Sequence, residues 1–134
     1  MPYTMQIRQL KHTIGALQGG ITTGQDELKR LAAARKSLVT YKSRFSAQKS
    51  LIMKQPVING ERTRGRAAAR HTLFRNNRVT KNQLLVTRVQ SMINAIDKQT
   101  SRISSDISNA RNRISSARSR ISSLETRQKN AEKG

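Results

Sequence analysis

The sequence predicts an all-α fold, an elongated antiparallel helical hairpin of two long coiled-coil helices, and three features carry that expectation. Isoleucine recurs every seventh residue at Ile107, Ile114 and Ile121 in a tail otherwise rich in Ser, Arg and Asn. Ile103, Ala110, Ala117 and Leu124 alternate with them at steps of three and four, which is the a/d spacing of a heptad repeat, and Ile96 extends the series. A second apolar tract of the same period fills the first third of the chain, and a Pro and Asn-Gly break separates the two.

The first helix is expected over about 4–54. Its a positions are Ile7, Ile14, Ile21 and Leu28, and its d positions are Leu10, Leu17, Leu31, Leu38, Phe45 and Ile52, with Gly24 interrupting the d series. Arg35, Lys42 and Lys49 continue the a series, so the seam becomes polar toward the middle of the chain, where Tyr41 offers another apolar contact. The glycines Gly15, Gly19, Gly20 and Gly24 each cost about 1 kcal/mol in a helix interior relative to Ala, which marks the first 24 residues for fraying or bending, Gly19-Gly20 above all. The same small residues would let another helix approach closely.

The break, residues 55–61, follows from Pro56 and Asn59-Gly60. Proline lacks an amide hydrogen and disfavours helical geometry in the residue before it, and Asn-Gly readily adopts positive φ. A second helix is expected over about 62–131. At about 1.5 Å per residue the helices would be roughly 70 Å and 100 Å long. The whole chain, 1–134, reads as one helical-hairpin domain.

Folding about Ile58 sets a register in which Phe45 lies near Thr72 to Phe74, Leu31 near Val86, Ile21 near Ile96 and Ile14 near Ile103. The first helix is then exhausted while roughly the last 20 residues, with Ile114, Ile121 and Leu124, remain uncovered. A two-helix seam also buries little apolar surface against an ordering cost of roughly 1 kcal/mol or more per residue. A homodimer or a hetero-complex is therefore expected, with Ile7, Leu10, Ile14, Leu17, Ile21, Ile103, Ile107, Ile114, Ile121 and Leu124 as the seam offered to partner helices.

Composition narrows the function classes. There is no Cys, hence no disulfide or thiol chemistry. Neither an apolar run of membrane-spanning length nor an N-terminal apolar signal region is present, so a chain made in the cytoplasm is expected, with any export following a route that does not read such a signal. His12 and His71 sit among cations rather than at ligand spacing, and the seven carboxylates are scattered. No enzyme, no metal and no cofactor is expected.

The net charge of +20 is unevenly placed. Residues 28–96 hold 16 Lys or Arg against Glu61 alone, densest at Arg62, Arg64, Arg66, Arg70, Arg75, Arg78 and Lys81. A merely solvated helix face mixes signs to gain i, i+4 pairs, and this one does not, so an acidic partner is expected there. Nucleic acid is the alternative partner, since phosphate neutralisation needs only cations, but there is no recognised motif and almost no aromatic for stacking. A membrane-surface role would need a stronger apolar face than 62–88 provides.

The order of segments resembles a known family. Ala16-Leu-Gln-Gly-Gly-Ile21 and Leu28-Lys-Arg-Leu31 are followed by the Pro break, then Thr63-Arg64-Gly65 and Phe74, then a coil of Ile103-Ser-Ser-Asp-Ile-Ser108 and Arg120-Ile-Ser-Ser-Leu-Glu125. This is similar to the YwqH-like small helical proteins, relatives of the WXG-type proteins of bacterial type VII secretion. The resemblance covers nearly the whole chain. It implies a non-enzymatic helical hairpin that binds the long helical LXG domain of a secreted toxin, or another small helical secretion protein, and helps present it for export. Two departures stand out: Thr63-Arg64-Gly65 occupies the place of the family's Trp-x-Gly, and no Tyr or Phe has an acidic residue four positions later, as an export tag would.

Overall fold

A computed structural model describes residues 2–54 and 66–133. They form two helices, α1 over Thr4–Lys54 and α2 over Arg66–Lys133, packed antiparallel. The all-α hairpin expected from the heptads is therefore present. α1 opens with the Ile7 amide donating to the Tyr3 carbonyl and is described to Lys54. It runs unbroken through Gly15, Gly19, Gly20 and Gly24. α2 is described from Arg66 and runs to Lys133; residues 62–65 of the expected second helix lie outside the described residues. The expected turn, 55–61, lies outside the described residues.

The heptad frame is realised along both helices. On α1 the half-buried or buried positions are Ile7, Leu10, Ile14, Leu17, Ile21, Gly24, Leu28 and Leu31, then Leu38, Lys42, Phe45, Lys49 and Ile52. On α2 they step by three and four from Arg75 through Val79, Asn82, Val86, Val89 and Ile93 to Ile121, Leu124 and Gln128. This alternation keeps one stripe of each helix facing the other.

The chain divides into two compact units, one of Met1–Leu31 with Lys98–Gly134 and one of Ala32–Asp97. Unit 1 has an aliphatic seam. Ile14, Ile114, Ala117 and Ile121 form its buried cluster, with Ile7, Leu10, Leu17 and Ile21 packed against it. At Gly24 the helices come close: a Cβ there would lie 3.1 Å from Ile107 Cδ1 and Cγ1 and 3.4 Å from Ile103 Cγ2.

Unit 2 has a mixed seam, in which polar contacts stand beside the buried Val89 and Ile93. Arg35 Nε donates to Asp97 Oδ1 at 2.8 Å, and this hydrogen bond, then the carboxylate's charge, raises the guanidinium pKa above its ordinary value. Lys42 Nζ donates to Gln90 Oε1, and Gln90 Nε2 donates in turn to Asn94 Oδ1 at 2.8 Å. Further along, Arg75 Nε and Asn82 Oδ1 are buried without a hydrogen-bond partner. A buried polar atom left unmade costs about 1–3 kcal/mol.

The expected register is corrected by these contacts. Folding about Ile58 would set Arg35 opposite Asn82, but it meets Asp97, fifteen residues further along α2. Ile14, expected near Ile103, packs in the cluster of Ile114, Ala117 and Ile121. The uncovered tail is corrected with it: Ile114, Ile121 and Leu124 are only 5–9% exposed, because α1 itself covers them. The physical reason is degeneracy. A heptad seam slipped by about two heptads still sets apolar stripe on apolar stripe, so periodicity alone does not choose between registers.

Two stability outcomes follow from this packing. Replacing the buried Asn82, a d-position amide with an unsatisfied oxygen, by Leu should raise the urea midpoint by the equivalent of about 1–3 kcal/mol; an unchanged or lowered midpoint would show that the amide is satisfied. Gly19→Ala, with nothing within 4 Å of the added Cβ, should gain close to 1 kcal/mol in the same assay, and Gly24→Ala less, since it crowds Ile107. A larger gain at Gly24 would contradict the close approach.

Candidate functional site

The ten seam residues expected to meet a partner face the chain's other helix instead. Ile14, Ile103, Ile107, Ile114, Ile121 and Leu124 are buried, and Ile7, Leu10, Leu17 and Ile21 are half-buried. Their apolar surface is covered mainly within unit 1.

The cationic set is only partly brought together. Arg70, Arg78 and Lys81 are exposed on α2, whereas Arg75 turns inward and is half-buried, its Nε without a partner. Arg66 is the first residue of α2, and its side chain is not described. Arg62 and Arg64 lie outside the described residues, as do Thr63 and Gly65 of the family-like segment. Phe74, the remaining residue of that segment, stands 67% exposed on α2 and is no part of the seam.

Two surfaces have the shape or chemistry to receive another molecule. The first is an open groove in unit 1 at the Gly24 close approach, where Ala16, Gly20 and Gly24 of α1 and Asp106, Ala110 and Arg113 of α2 flank the seam residues Leu17, Ile21, Ile103 and Ile107. Its floor is low because Ala16, Gly20 and Gly24 carry little or no side chain. The second is the outside of unit 2. Among the described residues, eight of the nine large exposed hydrophobics belong to it: Val39, Tyr41 and Leu51 on α1, and Leu73, Phe74, Leu84, Leu85 and Met92 on α2.

Sequence reasoning missed this second surface. The signal was available, since Leu84, Leu85 and Met92 fall outside the a/d frame that claims Val86, Val89 and Ile93. An apolar residue off the frame must be exposed if the frame holds.

The chemistry on offer is packing and positive charge. Unit 2 contains fourteen Lys or Arg against Glu61 and Asp97. Asp97 is already engaged by Arg35. Among the described residues no group of three or more His, Cys, Asp or Glu could hold a metal ion, and no helix is long and apolar enough to cross a membrane.

A family model described as YwqH-like matches residues 5–126. The chain belongs to the YwqH-like family. Nothing among curated proteins or solved structures matches it. The match spans nearly all of both helices of this YwqH-like chain.

The division between seam and outer face is open to test by substitution. Ile114→Ala should cost about 2–5 kcal/mol in urea unfolding, as expected for a buried aliphatic truncated to Ala. Leu84→Ala, at a site 49% exposed, should stay within about 0.5 kcal/mol of the parent. Equal losses at the two sites would contradict the assignment.

Proposed function

We propose that this YwqH-like protein is a non-enzymatic accessory or targeting protein, related to the WXG-type proteins of type VII secretion, that binds the helical LXG domain of a secreted toxin by helix packing. The single observation that carries the reading is the family match over residues 5–126 on a chain made of two long heptad helices. Helices with a small-residue groove and exposed apolar side chains recognise other helices by laying apolar faces together. The protein would act in the cytoplasm, where it keeps the toxin's helical domain covered before export, and it would leave the cell, if at all, together with that partner.

The cation density of unit 2 favours one second reading, a basic coiled-coil protein that binds nucleic acid. Its signature is a steep loss of affinity with salt, because each neutralised phosphate releases counterions. Helix packing through apolar surface is screened far less.

Co-expression with a helical LXG domain and purification in about 0.5 M salt separates the two readings. The proposed function predicts a complex that survives the salt. Failure to co-purify, together with duplex binding that falls steeply between low and high salt, would replace it with the nucleic-acid reading.

A further inference from the structure

Residues 70–92 of α2 present a second amphipathic face, outside the seam. At about 100° per residue, Leu73 and Leu84 lie within about 20° of each other, and Phe74, Met92 and Leu85 follow within an arc of about 120°. All five are exposed, from 42% at Leu85 to 67% at Phe74. Val79, Asn82, Val86 and Val89 point the other way, into the seam. The stripe is about 33 Å long, some six helical turns.

Cations occupy the same arc. Arg70, Lys81 and Arg88 fall between the two rows of apolar side chains, and all three are exposed. No Asp or Glu occurs between residues 70 and 92. Among the described residues, this exposed apolar stripe with like charges set into its middle meets no acidic or apolar partner.

We infer that this face docks an acidic amphipathic helix of another protein, whose apolar stripe covers Leu73, Phe74, Leu84, Leu85 and Met92 while its carboxylates meet Arg70, Lys81 and Arg88. The other occupants fit less well. A lipid surface would drag Lys81 and Arg88 toward hydrocarbon, because they sit at the centre of the apolar arc and not on its flanks. A second copy would bring cations against cations. Nucleic acid would answer the charges but leave five apolar side chains facing phosphate, with Phe74 the one aromatic among them. An acidic helix satisfies both components: apolar burial supplies the affinity, and the charges set approach and register. The inference deepens the proposed function by naming the contact surface and the partner's chemistry, and it rests on that reading only for the partner's identity.

The test uses the full chain and a labelled helical peptide with Leu at a and d and Glu elsewhere, beside a Lys counterpart, phosphatidylglycerol vesicles and a short DNA duplex. Three variants are compared with the parent after circular dichroism confirms their helicity: Phe74→Ser with Leu84→Ser, Arg70→Glu with Lys81→Glu and Arg88→Glu, and a control of equal charge change, Arg102→Glu with Arg111→Glu and Arg118→Glu. The acidic peptide should bind and the Lys peptide should not, and each of the first two variants should weaken binding about tenfold or more while the control changes it less than about threefold. No binding of the acidic peptide, equal loss in the control, or variant-sensitive binding to vesicles or duplex in its place would overturn the inference. A helical LXG domain that co-purifies with all variants alike would overturn this surface and leave the proposed function standing. Peptide binding through this face without any LXG association would do the reverse.

Discussion

The register between α1 and α2 is the constraint on which the other features depend. Heptad stripes supply the attraction but tolerate slips by whole heptads, so the alignment has to be chosen by residues that do not repeat. In unit 1 the choice falls on Gly24, whose missing side chain admits Ile107 and Ile103. In unit 2 it falls on Arg35 with Asp97 and on Lys42 with Gln90. Each unit by itself gives the same offset. The consequence is that the aliphatic tail of α2 is already covered by α1, and binding surfaces are left only on the outside.

The two units solve the same packing problem with different chemistry. Unit 1 puts Ile, Leu and Ala inside and Ser, Arg and Asn outside, the arrangement that stabilises a helix pair most simply. Unit 2 reverses part of it, with Lys42, Lys49, Arg75 and Asn82 turned toward the seam and Leu73, Phe74, Leu84 and Met92 toward solvent. Polar seam residues cost stability, and exposed apolar ones gain nothing in the isolated chain. The exposed apolar residues become favourable when another helix covers the outer stripe. Local rules broken in this way concentrate where a protein does its work.

Much of the fold was legible in the sequence, since the a and d positions of both helices follow from counting sevens from Ile107 and Ile7. The register was not, because periodicity is blind to a slip by whole heptads. The seam residues were read as a partner surface on the strength of an overhang that the true register removes. Of the cationic cluster, Arg70, Arg78 and Lys81 stand outward as expected, but Arg75 falls on a d position and turns in. The outer apolar stripe needed the frame to be applied to the residues it leaves out as well as to those it takes in.

Cysteine trapping tests the register most directly, and the chain's lack of native Cys leaves no competing thiol. A disulfide requires the two Cα atoms to lie within about 7 Å. Two double variants of the full chain, Ile14→Cys with Ala117→Cys and Ile14→Cys with Ile103→Cys, would be oxidised mildly at low concentration and assayed for an intramolecular bond. The structure predicts rapid closure in the first and none in the second. Closure of the second in preference to the first would mean that α1 lies about two heptads away from where it is placed, with the tail of α2 uncovered.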